Sequence, residues 1–520
     1  MFFSIASEKP IMIFWLLLLS ITGLFTYYIV QKSVSSITRT PIWLLWLVMM
    51  LPALIWTGWI LLNGPEARIP AVLLFGPFLI SPVLYWLLVQ WGRPARTEPD
   101  KSTTEPSLQK PEPDSKVPLR PIDRQEEATL QNCFPWSVYY LQNLEYRPQA
   151  LICRGQLRSS PEVAYRTIRE NIEAQFGDRF LVLFQEGLNG KPFFALVPNA
   201  QAQRNDTEQA SSKPERRLGR SLGLFAATLL TTCLGGALLT ERFAAGATAD
   251  EPLISNLSFD LPTLLSGLPY AIAILLILGG RELANFWVAR RYGLRVSYPY
   301  FIPVPPLEVF PFGTFGALLQ RRSPVPHRRA LFDIGLTGSM VSFLISLPIL
   351  LWGLAQSQPI QRTAESGIFR FESFNPHGSL LLAVLSKLAL GSAFTAETAL
   401  RLHPVAVAGC IGIVITALNL MPVGQLDGGQ IVHAMFGQRM GALIGQVARL
   451  LVLLLSLVQQ ELLLWAVLLF LLPAVDAPTL NDVSELDNLR DFLGLAALTL
   501  LIIILLPPPP VLSQFLSIAG

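Results

Sequence analysis

"LLILGGRELANFWVARRYG", residues 275–293, ends an apolar run with an arginine and a glutamate side by side and an asparagine one turn further on. Ionisable side chains inside a membrane helix are costly, so they face a bundle interior or a polar cavity and mark a site. Arg281 and Asn285, four residues apart, share one helical face, with Glu282 beside them. Whether the rest of the chain is built for hydrocarbon therefore decides how this stretch is read.

Of the 520 residues, 52 % are hydrophobic and 14 % charged, against about 25 % charged in a soluble domain. The formal net charge of +3 is small for this length and gives no argument for a nucleic-acid partner. Apolar segments near 11–30, 42–63 and 70–92 are each long enough to cross about 30 Å of hydrocarbon at about 1.5 Å per residue. They predict a three-span unit over residues 1–92. Only Lys9 precedes the first of them and no small-residue cleavage site follows, so it reads as an uncleaved span. Further apolar segments lie near 221–240, 264–292, 330–354, 403–422, 441–457, 460–474 and 492–507, with another at 379–396. The total is about ten or eleven spans.

Two polar stretches interrupt this pattern. Residues 93–122 are rich in proline and charge and read as a disordered linker. Residues 123–199 have the pattern of a soluble α+β domain. In it "QALICRGQL" reads as a strand, and Ser160-Pro161 opens a helix with Ala164, Ile168, Ile172 and Phe176 on one face. "RFLVLFQEGLNGKPFFALVP" reads as a hairpin turning at Asn189-Gly190. A second linker, 200–218, leads into the membrane domain, 219–520. Lys32 and Arg39, Arg93 and Arg96, Arg216 to Arg220, Arg290 and Arg291, and Arg321 to Arg329 alternate with loops poorer in cations. By the positive-inside rule the soluble domain faces the cytoplasm, or the stroma in a plastid. Cys133, Cys153, Cys233 and Cys410 show no C-x-x-C spacing, so neither a cysteine zinc site nor a disulfide framework is indicated, and they read as small buried hydrophobes.

"YPYFIPVPPLEVFPFGTFGALLQ", 298–320, carries too many prolines for a regular helix and is too apolar for an ordinary loop. Irregular backbone at membrane depth is tolerated only against protein or a water-filled cavity. It predicts a re-entrant loop or hairpin against the span of Glu282, with Gly313, Phe315 and Gly316 in it. A second polar interruption, "NLMPVGQLDGGQ", places Asn419, Pro422, Leu426, Asp427, Gly428 and Gly429 where a span gives way to a turn, and an unwound helix aims the Asp427 carboxylate inward.

Together with "ARRYGLRVSYPYFIP", "GTFGALLQ", "ALFDIGLTGSMVSF" and "LNDVSELDNLRDFLG", these motifs resemble, in order and spacing over about residues 127–510, the site-2 proteases. These are intramembrane zinc metalloproteases, and the likeness is greatest to their cyanobacterial and plastid, EGY-type branch. The resemblance implies a polytopic α-helical membrane core, a multi-pass protein of a cyanobacterial plasma or thylakoid membrane or of a plastid, and a transmembrane client. It also implies an H-E-x-x-H helix: two histidines one turn apart as zinc ligands, the glutamate as general base on the metal-bound water, and the aspartate of the second motif as third ligand.

Asn419, Pro422, Leu426, Asp427 and Gly428 match the second motif completely; the first survives only as Glu282. Arg281 and Asn285 stand at the two histidine positions. A guanidinium has no lone pair to offer and repels a dication, and an amide oxygen is a feeble zinc ligand. Asp427 alone remains a good donor, so no cofactor is expected, zinc being implied only if the family activity survives. His327, His377, His403 and His433 are not spaced as a ligand pair. His433, six residues past Asp427, is about 600° of helix rotation away and reads as a packed or capping side chain.

Without zinc, Asp427 and Glu282 would be two carboxylates at low dielectric. The sequence therefore predicts that Arg281 pairs with Asp427 where the metal would have stood, with Glu282 protonated or paired elsewhere. The bland alternative is that Arg281 snorkels to the interface. Three functions follow: a catalytically silent binder of transmembrane or membrane-associated partners, an active protease with unorthodox ligands, and, from the broken helix and buried charges, an ion or proton transporter.

Overall fold

In a computed structural model the chain is described over residues 40–63, 124–147, 150–187, 190–199, 214–245, 260–306, 312–363, 366–368, 370–458 and 462–515, with isolated positions between 23 and 27, between 73 and 91, and at 122. The linker 93–121 and most of the segments near 11–30, 70–92 and 200–213 lie outside the described residues. The contacts separate two units, 1–115 and 116–520.

In the first unit, helix α1 (Ile42–Asn63) is apolar on all sides, as a span exposed to lipid is. It is hydrogen-bonded to single positions in both neighbouring segments. Trp46 donates its indole N–H to the Gly23 carbonyl at 2.8 Å, and Ser81 donates to the Val48 carbonyl at 2.6 Å.

The second unit begins with a soluble α+β module. Helix α2 (Arg124–Asn132) leads to strands β1 (Tyr139–Arg147) and β2 (Ala150–Leu157), helix α3 (Pro161–Phe176), and the hairpin β3 (Phe180–Glu186) and β4 (Pro192–Pro198). The sheet order is β1-β2-β4-β3, every pair antiparallel. The every-fourth spacing on α3 buries Ala164, Ile168 and Ile172 completely, while Phe176 stays at the margin. Their partners include Leu151, Phe184 and Phe194, the last two stacked at 4.2 Å. Gly190 closes the β3–β4 turn at φ 70°, a left-handed conformation open to glycine.

The membrane core follows: α4 (Pro214–Ala245), α5 (Leu261–Ser266), α6 (Leu268–Arg291), hairpin β5 (Tyr300–Pro303) and β6 (Thr314–Leu318), α7 (Arg328–Ala355) and β7 (Gln358–Gln361). Next come α8 (Leu380–Leu390), β8 (Thr398–Arg401), α9 (Pro404–Leu420), α10 (Asp427–Val458), α11 (Leu463–Leu471), α12 (Asn488–Leu505) and α13 (Pro510–Phe515). Among the described residues six helices are long and apolar enough to cross a membrane: one in the first unit, and the spans within α4, α6, α7, α10 and α12. The molecule is a polytopic helical membrane protein with a small soluble α+β module. The apolar segments near 379–396, 403–422 and 460–474 form the shorter helices α8, α9 and α11. Of these, α9 is sheathed by protein along most of its length, with residues such as Val407, Ala408, Cys410 and Ile413 buried. Such a helix is apolar on every side because its neighbours are, without having to meet lipid.

Two departures from regular helix matter for the site. Within 298–320 the described residues pair as the β5–β6 hairpin against α4 and α6: Thr231 and Tyr270 donate hydroxyls to the carbonyls of Gly313 and Phe312 at 2.7 and 3.1 Å. Helix α10, for its part, is two rods. Gly437 has φ 83°, and the guanidinium of Arg328 donates to the carbonyls of Ala434 and Met435 at 2.7 and 2.8 Å, capping the first rod where it ends. The first rod, 427–436, is the one that carries Asp427.

Candidate functional site

Three helices converge on the charges. Arg281, Glu282 and Asn285 come from the middle of α6, Ser339 from α7, and Asp427 is the first residue of α10. The turn at 421–426 lets Asp427 begin a helix inside the bundle. Gly428 is pressed against the end of α9, where a Cβ would lie 1.9 Å from the Leu420 carbonyl oxygen, so only glycine fits there. Pro422 lies in that turn, and Leu426 packs against the core cluster.

The Arg281 guanidinium bridges both carboxylates. One nitrogen is 3.0 Å from Asp427 Oδ2 and another 2.9 Å from Glu282 Oε1, with side chains only 15, 10 and 5 % exposed. Asp427 Oδ2 accepts a second bond, from the Ser339 hydroxyl at 2.7 Å. The guanidinium thus lies between the carboxylates and does not snorkel. Glu282, expected to be protonated or paired elsewhere, has the same cation as its partner, because the fork-shaped guanidinium offers one nitrogen to Asp427 and another to Glu282.

Asn285 is buried, and its amide packs against the backbone of α7 at Gly338, where a Cβ would meet Oδ1 at 2.5 Å. Its Oδ1 and the Arg281 Nε have no hydrogen-bond partner among the described residues. Asn419 does not reach the charges, because its amide donates to the Ile415 carbonyl at 2.8 Å within α9. Arg321, just beyond β6, contacts Gln430 at 3.3 Å. Phe315, on β6, is 66 % exposed.

Sequence reasoning missed Ser339, which stands in "GLTGSMVSF", a stretch that reads as ordinary small-residue packing. A serine at membrane depth is a weak signal, because its hydroxyl is usually satisfied within its own helix, as Ser346 is by the Ser342 carbonyl at 2.7 Å. Also missed was His433, which is not a simple packing residue. Its Nε2 lies 2.8 Å from Asp482, in the chain segment that follows α11.

The residues present do not fit a zinc ion. Zinc wants about three protein lone-pair donors around an open position. Here one of those positions is a guanidinium, the amide of another is packed on α7, and the remaining carboxylate is engaged by Arg281 and Ser339. Among the described residues no three histidine, cysteine, aspartate or glutamate side chains are grouped to hold a metal.

A bundle of apolar helices whose core sequesters a charged turn between three of them, flanked by a β-hairpin, defines a polytopic membrane protein with a polar site in its interior. Comparison with known proteins carries this further. The family described as peptidase family M50 matches residues 269–459, and that described as the EGY3 middle domain matches 128–205. A protein named probable zinc metalloprotease EGY2, chloroplastic, of Arabidopsis thaliana is 27 % identical over 371 residues, covering 71 % of this chain and 62 % of the relative. Its namesake EGY1 of the same plant is 33 % identical over 260 residues, 50 % of this chain and 46 % of the relative. EGY3 of Oryza sativa subsp. indica is 27 % identical over 327 residues, 61 % of this chain and 52 % of the relative. The chain thus spans less than two thirds of the length of each of these three. No solved structure matches it. These matches support the assignment of the chain to the site-2 protease family, on its EGY-type branch.

Proposed function

We propose that this chain is a catalytically silent member of its family that binds transmembrane or membrane-associated partners in a plastid or cyanobacterial membrane, with its soluble module on the cytoplasmic or stromal side. One observation carries the reading: a guanidinium sits within 3.0 Å of both surviving carboxylates, at a position where the family pattern asks for a metal ligand. A permanent cation there offsets part of the carboxylates' negative charge and repels a dication. Glu282 is held in an ion pair by Arg281 and so is not free to take a proton from water. The acidic turn at Asp427, the hairpin and the soluble module, each able to recognise a partner, are retained.

The test is the pair of substitutions Arg281→His and Asn285→His in one chain. The parent is expected to purify without stoichiometric zinc and to leave a co-reconstituted transmembrane substrate of an EGY-type protease intact, while retaining it in a pull-down. The double variant is expected to gain zinc. Stoichiometric zinc in the parent, released on Asp427→Ala, together with cleavage, would establish the protease reading instead.

A further inference from the structure

Residues 472–487, between α11 and α12, tie the soluble module to the short first rod of α10. Backbone groups of Leu480 and Asp482 pair with Phe184 on the open edge of β3 at 2.7 and 2.9 Å, and those of Leu480 and Asn481 pair with Val325 and Pro326 at 2.9 and 3.0 Å. The segment therefore runs as an added strand between the module and the start of α7. Its hold on α10 is polar and buried. His433 Nε2 is 2.8 Å from Asp482 Oδ1, and on the other side of the ring Nδ1 faces Asp476 Oδ2 at 3.8 Å.

That second contact is too long for a hydrogen bond. The side chains of His433 and Asp476 are 3 and 8 % exposed. Neither His433 Nδ1 nor Asp476 Oδ2 has a hydrogen-bond partner among the described residues. A cavity of about 10 Å³, bordered by Gly424, Gly429, Gln438 and Gly441, adjoins them, so it holds one water at most. A neutral imidazole that donates from Nε2 to Asp482 turns a lone pair toward the Asp476 carboxylate. An imidazolium has a donor for each carboxylate and completes both sides.

We propose that His433 is a proton-operated clamp. As an imidazolium it donates to Asp482 and Asp476 together, and loss of one proton gives up the Asp476 side, which loosens residues 476–482 on α10 and, with them, the edge strand of the soluble module. The charged groups around the ring are few. Asp476, Asp482 and Glu485 come from the segment itself. Arg328 at the start of α7 is engaged with the Ala434 and Met435 carbonyls. Arg439, beyond the Gly437 break, donates to the Gly187 carbonyl at 3.0 Å, and Glu186 ends β3. His327, whose backbone bridges Asn481, is the second titratable ring near this segment and needs its own control.

The experiment uses the full chain in lipid nanodiscs. Imidazole nitrogen resonances, of which four histidines give few, report the charge state of His433 over about pH 5 to 9. Hydrogen exchange at the Phe184 and Asp482 amides, normalised to intrinsic rates, reports the strand. Protection is expected to fall about tenfold or more as the His433 resonances pass from imidazolium to imidazole. His433→Gln is expected to abolish the step, Asp476→Asn to move its midpoint to lower pH and shrink it, and His327→Asn to leave it in place. A neutral His433 across the range, a flat protection profile, or a step that survives His433→Gln overturns the proposal. If His433→Gln does not fold, an unchanged midpoint in Asp476→Asn has the same force.

Discussion

Replacing Arg281 by methionine keeps most of the apolar stem and removes the charge, leaving Asp427 and Glu282 without their shared cation. Both ion pairs are short and nearly buried, at 3.0 and 2.9 Å with side chains 15 % exposed or less. Removing one partner of such a pair typically costs about 3–5 kcal/mol, because the remaining charge keeps its desolvation penalty. Protonation offers an escape that bounds the loss. Neutralising a carboxylate of ordinary pKa near 4.3 costs about 3.7 kcal/mol at pH 7 and about 1 kcal/mol at pH 5. The expected destabilisation is therefore roughly 3–4 kcal/mol at pH 7, shrinking toward 1 kcal/mol at pH 5. By thermal unfolding in nanodiscs this is a fall in Tm of about 3–5 °C at neutral pH. Adding Asp427→Asn and Glu282→Gln is expected to recover most of it, since no buried charge is then left unpaired. A Tm within about 1 °C of the parent at pH 7, with no recovery in the triple variant, would falsify the claim that the guanidinium substitutes for a cation at this site.

Gly338→Ala drives a Cβ to 2.5 Å from the Asn285 amide; it is expected to cost about 1–3 kcal/mol by thermal unfolding, and Asn285→Ala in the same chain to restore most of that. Asn481 receives the backbone N–H groups of Val483 and Ser484 at 3.2 and 3.3 Å and donates to the Ser484 hydroxyl at 2.7 Å, so Asn481→Ala is expected to cost about 1–2 kcal/mol and to speed limited proteolysis between the module and the core. Burial pushes the Tyr165 phenol up to about 12, against a smaller opposing effect of Arg169. The unfolded chain then releases this proton first, so stability is full below about pH 10 and is lost as pH rises toward 12, by about 2–3 kcal/mol at most. Tyr165→Phe is expected to flatten that alkaline loss in a pH series of unfolding curves. His327 is held below its ordinary range by burial and then by Arg329, and its Nδ1 accepts the Ala330 N–H at 3.1 Å as the cap of α7. Its contribution is present above the unfolded value near about pH 6.5 and falls as the pH drops below it, which His327→Asn, a cap without a titrating ring, is expected to remove.

Much of this site is legible in one dimension. An arginine, a glutamate and an asparagine inside an apolar run announce a buried polar contact, and the turn chemistry of Pro422, Asp427 and Gly428 announces a helix start inside the bundle. The Arg281–Asp427 contact follows because few other charges at that depth are available to either. Ser339 was not legible, since a hydroxyl gives no sign in sequence of whether it bonds its own helix or crosses to another. Nor was the clamp around His433, whose carboxylate partners lie 43 and 49 residues downstream, read from Asp476 and Asp482, in a stretch with no periodic signal. The shorter helix α9 looks like a span because a helix surrounded by other helices is as apolar as one surrounded by lipid. Hydropathy alone does not tell the two solvents apart.

The break at Gly437 gives the site a lever. The rod that carries Asp427 is ten residues long, about 15 Å, and is pinned at its far end by Arg328 and beside its middle by His433. A tilt of about 10° about the pinned end would carry Asp427 some 2–3 Å, as far as the whole ion-pair distance. Forces applied where the soluble module meets the membrane are thus delivered, through a stiff and short arm, to a contact that is either made or lost. A load on the soluble module therefore has mechanical access to the charges at the centre of the bundle.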